Sequence, residues 1–200
     1  MVKTYTTADV FFKFRKWYEF AKKKYQENKI DNYNAFVLST SINNIPDSRV
    51  LLLKDLSIEG FIFYTNEHSK KGQQIIQNKH VAMLFYWPII KRQIRIIGHV
   101  ENVAPVMSDS YFNSRPYLSK IGAWASKQSE IMPSTLGFYK DIAKYSLQFP
   151  VDVPRPNHWH GFQVMPVNIE FWKEGNSRLH LRESFTKDQH NSWNKNILYP

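Results

Sequence analysis

Residues Arg49 to Lys71, RVLLLKDLSIEGFIFYTNEHSKK, confine the chain to few folds, because they set two strongly apolar runs beside a concentration of cations. Val50 to Leu53 is an apolar run of strand length, and Phe61 to Thr65 is aromatic and β-branched, so both predict strands. Gly60, after Ser57-Ile58-Glu59, supplies the turn between them. An antiparallel hairpin of this size carries Arg49 and Lys54, at the ends of the first strand, towards Tyr64, Thr65, Ser69, Lys70 and Lys71. Ammonium, guanidinium and hydroxyl donors gathered at one spot fit a bound phosphate dianion. They equally fit turn charges and the solvated start of a helix, and this stretch alone does not separate the two.

The remaining pattern extends the theme of short strands. Residues 8 to 28 place Val10, Phe11, Phe14, Trp17, Tyr18 and Ala21 at helical spacing, which predicts an amphipathic helix capped by Thr7 or Asp9. The lysines at 22 to 24 then complement the helix dipole. Strands are predicted over Tyr33 to Ser41 and Arg49 to Leu53, with Asn43-Asn44 as a turn. A helix from His68 or Ser69 through Gln77 turns Ile75 and Ile76 inward. Val81 to Trp87 and Arg92 to Val103 are two more strands, joined by residues 88 to 91. In the second, Gln93, Arg95 and Ile97 share one face, a partly polar surface that calls for a lined cavity or a subunit contact.

Pro105 to Arg115 predicts a helix with Tyr111 and Arg115 on one side, followed by the small and polar segment Ser119 to Ser129. A further helix spans 134 to 148 and gives way to an arm with Pro150, Pro154 and Pro156. Gly161 to Pro166 and Asn168 to Trp172 are late strands, Gly175-Asn176 a hairpin turn, and Arg178 to Phe185 the return. The sum is one domain over residues 1–200, mainly β with helices (α+β), arranged as a β-barrel with peripheral helices.

Charge narrows the partners. A formal charge of +10 favours an anion, whether nucleic acid, membrane surface or phosphorylated small molecule. The basic residues form only short clusters, and the aromatic residues fall in predicted core strands, which argues against a nucleic-acid surface. No apolar run is long enough to span a membrane, no signal peptide is visible, and cysteine is absent, so the expected compartment is the cytoplasm.

Three constellations bear chemistry. Tyr111, Arg115 and Ser119 form a second set of phosphate-type donors, although a surface Tyr-Arg pair has the same spacing. On an alternating strand Arg178, His180 and Arg182 share a face, and three such groups side by side favour a ligand. His158-Trp159-His160 offers two imidazoles without a local third ligand, so packing or surface positions explain them better than a metal, and none is expected. The sequence carries no glycine-rich phosphate loop, Ser-His-Asp ordering signal or HExxH motif. Chemistry carried by a cofactor is the natural expectation.

RVLLLK at 49 to 54, FYTNEHSKKG at 63 to 72, LFYWPIIKRQIRIIG at 84 to 98, YFNSRPYLSKIGAWASKQS at 111 to 129 and IEFWKEGNSRLHLR at 169 to 182 closely resemble the pyridoxine (pyridoxamine) 5′-phosphate oxidases. The blocks stand in the family's order over nearly the whole chain, down to Trp193 and Leu198-Tyr199-Pro200. The resemblance implies an FMN-binding split β-barrel, working as a homodimer with the flavin at the subunit interface. By motif position Arg49, Lys54, Tyr64, Thr65, Lys70, Lys71, Gln93, Gln128, Ser129, Trp172 and Arg182 would hold FMN. Lys54, Tyr111, Arg115 and Ser119 would bind the substrate phosphate, and Arg178 and His180 would orient the pyridine ring as the catalytic pair. The implied reaction is oxidation of pyridoxamine or pyridoxine 5′-phosphate to pyridoxal 5′-phosphate with dioxygen as acceptor, without nucleic-acid or membrane partners.

Four positions depart from the family pattern. Lys70 stands in place of an arginine, His160 in place of a glycine of the Trp-Gly-Gly turn, Leu181 in place of an aspartate and Ile197 in place of an arginine. Against the family pattern the N-terminus is also short, so the arm that can cover the substrate in relatives is expected to be missing. His160 is expected to restrict the backbone, and Leu181 to remove a carboxylate that would fix neighbouring cations. A flavin- or pyridoxal-phosphate-binding relative with weak or altered oxidase activity is therefore the alternative, and a basic nucleic-acid-binding domain a remoter one.

Overall fold

The computed structural model describes residues 4–200; residues 1–3, at the start of the stretch read for a signal peptide, lie outside the described residues. Its elements are β1 (Thr4–Tyr5), α1 (Thr7–Glu27), β2 (Ala35–Ile42), β3 (Ile45–Leu52), β4 (Asp55–Leu56), β5 (Phe61–Asn66), α2 (Lys70–Gln77), β6 (His80–Trp87), β7 (Arg92–Asn102), α3 (Pro105–Asn113), α4 (Tyr117–Ala125), α5 (Thr135–Gln148), β8 (Trp159–Lys173), β9 (Leu181–Lys187) and β10 (Trp193–Leu198). The class is α+β, with one antiparallel sheet at its centre. No helix among the described residues is long and apolar enough to cross a membrane.

Helix α1 forms as its period requires, burying Val10, Phe11, Phe14, Ala21 and Tyr25. Its cap is Thr6 rather than Thr7 or Asp9: Thr6 Oγ1 accepts from the Asp9 amide at 3.2 Å, and Asp9 returns a bond to the Thr6 amide at 2.9 Å. This reciprocal capping satisfies two helix-end donors. Phe14 then meets Phe61 at 4.8 Å and Phe85 at 5.5 Å, so the helix closes the inner face of the sheet. Lys13 reaches Glu183, which also takes Lys195, tying the helix to the last two strands.

The sheet runs β1-β10-β9-β8-β7-β6-β2-β3, with β5 on β8 and β4 on β5. Asn43 and Asn44, at φ 50° and 62°, supply the left-handed turn that joins β2 to β3. The two predicted late strands are one, β8, whose register against β7 shifts at Ile97/Gly98 instead of breaking. One edge of β8 stays on β7, while its other edge pairs first with β5 (Trp159 to Val164) and then with β9 (Asn168 to Lys173). This sharing splits the sheet into two wings. Strand β3 pairs with β2, and only Lys54 to Leu56 meets β5, so the predicted hairpin is reduced to its last residues.

Alternation along β7 holds: Ile94, Ile96 and Gly98 face the core, and Arg95 and Ile97 face outward with Gln93. Across the sheet Tyr86, Gln93, Trp172 and Arg182 stand in one outward row, and Val50, Val37, Leu84, Arg95, Glu170 and Ser184 in the next. Val50, Tyr86 and Ile97 leave a broad apolar surface there. On α2, Ile75 is buried but Ile76 is 54% exposed, contrary to the expectation that both turn inward. The small-residue segment after Ser119 is helical, as α4, and packs on α5.

Candidate functional site

The end of β5 and the start of α2 build a cradle for an anion. Ser69 caps α2, accepting from the Gly72 amide at 3.3 Å, which turns the helix start towards Thr65. Lys71 Nζ donates to Thr65 Oγ1 at 3.1 Å, Ser69 Oγ at 3.1 Å and Gln128 Oε1 at 2.8 Å. These acceptors are all neutral. Burial, with help from the Arg49 charge, pulls the Lys71 pKa down to about 8.

Arg49 is held by Thr40 Oγ1 at 2.7 Å, Gln74 Oε1 at 3.0 Å and the Leu38 carbonyl at 3.3 Å. Asp47 pairs with Lys70 at 2.9 Å and Arg49 at 3.0 Å, and those cations hold its carboxyl below the usual range. The cradle thus holds three cations and one carboxylate, which pairs with two of them, an imbalance that an anion with several oxygens corrects. Lys70, in place of an arginine, is 69% exposed and contributes a point charge at the rim.

Beside the cradle lies a cavity of about 540 Å³ whose walls include Lys54, Tyr64, Thr65, Tyr111, Arg115, Ser119, Gln128 and Trp159. Tyr64 and Tyr111 stack at 4.2 Å and 15°. The Lys54 ammonium stands 5.8 Å from the Tyr111 ring. Tyr111 and Arg115 do not share one helix, as their spacing predicted: α3 ends at Asn113, Arg115 sits in the corner, and Ser119 lies in the first turn of α4. The corner still brings all three to the cavity. Arg115 Nη1 is buried without a hydrogen-bond partner, and desolvation lowers its pKa. A buried guanidinium nitrogen left unpaired is costly, so Arg115, which lines the cavity, suits a second anion there, whereas Arg92 Nε, equally unpaired, does not line it.

Gln93, Trp172 and Arg182, adjacent on β7, β8 and β9, form a separate group. His180 rests on Trp172 with ring centroids 4.8 Å apart. Arg178 and His180 are not on the strand, which starts at Leu181; Arg178 sits in a turn at φ 65°, an uncommon left-handed position for a non-glycine residue. The shared strand face for Arg178, His180 and Arg182 is thus replaced by a turn that folds His180 back over Trp172. His180 Nδ1 accepts from the Gly175 amide at 3.3 Å, which leaves Nε2 to carry the proton of the neutral ring. No hydrogen bond, ion pair or ring contact joins this group to the cradle among the described residues.

Two carboxylates escaped the sequence reading. Asp47 is one; the other is Glu170, which is 6% exposed and accepts from Arg182 Nε at 2.8 Å and Arg95 Nη1 at 3.2 Å. An acidic residue inside the apolar run Ile169 to Trp172 was the available signal. Glu170 also corrects the expectation for Leu181, since Arg182 is fixed by this carboxylate without an aspartate at 181. His160 causes no backbone strain: it lies in extended β8 opposite Thr65, 3.4 Å from Glu67. Its neighbour His158 contacts the Ala123 carbonyl at 3.2 Å and packs on His68. Ser129 follows Gln128 at φ 75°, exposed and on a neighbouring hollow, away from the Lys71 ammonium's bonds.

Comparison with known proteins matches these features to one family. Residues 21–149 match the family model described as pyridoxamine 5′-phosphate oxidase, and residues 159–200 match the pyridoxine 5′-phosphate oxidase C-terminal dimerisation region. The pyridoxine/pyridoxamine 5′-phosphate oxidase of Bartonella henselae is 44% identical over 94% of this chain and 90% of its own length. That of Pelagibacter ubique is 42% identical over 94% and 89%. Among solved structures, PhzG from Burkholderia lata superposes with a TM-score of 0.87 at 24% identity, covering 96% of this chain and 93% of that one. A pyridoxamine 5′-phosphate oxidase-related, FMN-binding protein from Nostoc punctiforme gives 0.74 at 14% identity, over 93% and 97%. The second supports the split-barrel reading of the fold. With both family models matched in order along one sheet, the chain belongs to the pyridoxamine 5′-phosphate oxidase family.

Proposed function

We propose that this protein oxidises pyridoxamine or pyridoxine 5′-phosphate to pyridoxal 5′-phosphate, using FMN as cofactor and dioxygen as acceptor. One observation carries the proposal: two anion positions, at Lys71 and at Arg115 Nη1, flank a single cavity walled by aromatic rings. Two phosphorylated planar molecules side by side account for both.

The residues present fit FMN. A buried ammonium with only neutral acceptors, next to Arg49 and Lys70, suits its phosphate. When bound, FMN would supply the electron acceptor for oxidation at the substrate C4′, with dioxygen as the final oxidant and hydrogen peroxide as its product. Everything else is positioning by the chain. Lys54, Tyr111, Arg115 and Ser119 hold the substrate phosphate, and Tyr64, Thr65 and Gln128 separate the two anion positions. Arg178 and His180 orient the pyridine ring, with His180 Nε2 left to carry the proton of the neutral ring. Gln93, Trp172 and Arg182 complete the flavin contacts, with Ser129 next to Gln128 in the chain.

A homodimer is part of the proposal. Within one copy Arg49 stands in the inward row of Leu38, Met83 and Ile96, whereas Gln93, Trp172 and Arg182 point to the outer face. Along β8, Gly161 beside Tyr64 and Trp172 are separated by about 36 Å of extended strand. A second copy laid on the apolar outer face would bring its Gln93 group to the first copy's cradle. On β5 and β6 Phe61, Phe63, Phe85 and Trp87 are buried and only Tyr86 is exposed, which leaves little platform for stacked bases and disfavours the nucleic-acid reading.

The test is turnover of FMN-loaded protein on pyridoxamine 5′-phosphate in air. Pyridoxal 5′-phosphate, ammonia and hydrogen peroxide are expected in equal amounts; flavin that stays oxidised under anaerobic substrate would refute the reading.

A further inference from the structure

Arg115 is held by aromatic rings. Its Cζ lies 4.9 Å from the Trp159 ring centroid and 5.5 Å from that of Phe112, and the two rings meet edge to face at 5.1 Å and 70°. Among the described residues no carboxylate forms an ion pair with it. Ring faces attract a guanidinium without occupying its N–H groups, whereas a carboxylate partner would consume its fork.

The indole is itself fixed. Trp159 is 7% exposed and lies nearly parallel to Tyr64, at 5.3 Å and 7°, and to Tyr111, at 6.0 Å and 8°. Its carbonyl accepts from Arg155 Nη1 at 2.8 Å, and Arg155 is anchored on Asp109 at 2.6 Å. Trp159, between the two histidines, therefore touches the cation of the second anion position.

We propose that Trp159 is the positioning residue that makes the cavity select phosphorylated over unphosphorylated pyridine rings. It holds Arg115 by its flat surface with no competing anion, leaving the fork free for one ligand phosphate. An unphosphorylated ring leaves that buried guanidinium unpaired and is rejected for that reason. This rests on the proposed function, which assigns Arg115 to the substrate phosphate.

The test uses FMN-loaded protein and two ligands that cannot be oxidised at C4′, 4-deoxypyridoxine 5′-phosphate and 4-deoxypyridoxine, titrated through the flavin absorbance. Trp159→Leu is expected to weaken the phosphate about tenfold and the unphosphorylated ligand less than about twofold, so the ratio collapses. Trp159→Phe keeps a ring face and is expected to stay within about threefold of wild type. Equal losses for both ligands would overturn the proposal and reduce Trp159 to cavity packing.

Should Trp159→Leu fail to fold, Trp159→Met fills more of the space and carries the same expectation. In an Arg115→Met background the same change is expected to cost less than about twofold, and a full tenfold loss there would contradict action through Arg115. Peroxide formation by the wild-type protein decides the oxidase reading separately. The ratio of the inert ligands decides the role of Trp159 whichever way that assay falls.

Discussion

Arg115 and Lys71 are proposed to serve two different phosphates, and each assignment has its own signature. Arg115→Ala is expected to raise the KM for pyridoxamine 5′-phosphate about tenfold to a hundredfold, the worth of a charged hydrogen-bond partner. FMN affinity should change far less, because Arg115 makes no contact with the Lys71 cradle. Steady-state kinetics and an FMN titration on the same variant check this, and equal losses would mean that the two positions were exchanged. For Lys71 the signature is pH. Its pKa is about 8 where the ordinary value is 10.5, so above about pH 8 the apoprotein carries a neutral amine in the cradle. A phosphate dianion restores the charge, and binding then takes up a proton. The FMN dissociation constant should therefore rise as pH passes about 8, while Lys71→Met binds weakly with a flat profile over the same range. The sign for stability is opposite: between about 8 and 10.5 the unfolded chain holds more protons than the folded one, so the apoprotein gains stability as pH rises. Fluorescence titrations from pH 6.5 to 9.5 measure the first effect.

At the scale of elements, the site depends on how closely β8 approaches β5. Gly161 pairs with Tyr64, and a Cβ there would meet Val103 Cγ2 and stand 2.6 Å from Tyr64 Cε1. Gly161→Ala should thus displace the Tyr64 ring and cost about 1–3 kcal/mol from overpacking. A melting temperature lower by about 2–12 °C is expected, with weaker FMN binding at 25 °C; an unshifted melting curve would show that the strands separate easily. The sequence made β6, β7 and the Asn43-Asn44 turn readable because alternation and turn chemistry are local. Helix α4 was not readable, since SKIGAWAS has small residues on every side and takes its helical form by packing on α5. Strand β8 was divided in two because Pro166 and Val167 look like a break, whereas the register shift at Gly98 absorbs them. Arg178 and His180 were misplaced for a similar reason: period-2 spacing is indistinguishable from a turn when left-handed residues at Ser177 and Arg178 reverse the chain. The members of the site came largely from family motifs, while their two-part arrangement needed the strand pairings.

For the whole molecule, the account rests on two residue groups on opposite faces of one sheet serving one site. The outer group carries a feature that a single copy leaves unexplained, the exposed Val50, Tyr86 and Ile97. Light scattering of the FMN-loaded protein should give twice the chain mass, and an obligate interface of this kind buries over about 2,000 Å². Complementation tests the shared site itself. Lys71→Met and Arg182→Met are each expected to leave FMN sites mostly empty at a concentration that saturates the wild type. If each site takes Lys71 from one copy and Arg182 from the other, a mixed dimer holds one intact site. Refolding the two variants together in equal amounts should then restore about a quarter of wild-type FMN occupancy and peroxide formation. No recovery, with mixed dimers shown to form, would contradict the account by placing both groups in the same copy's site.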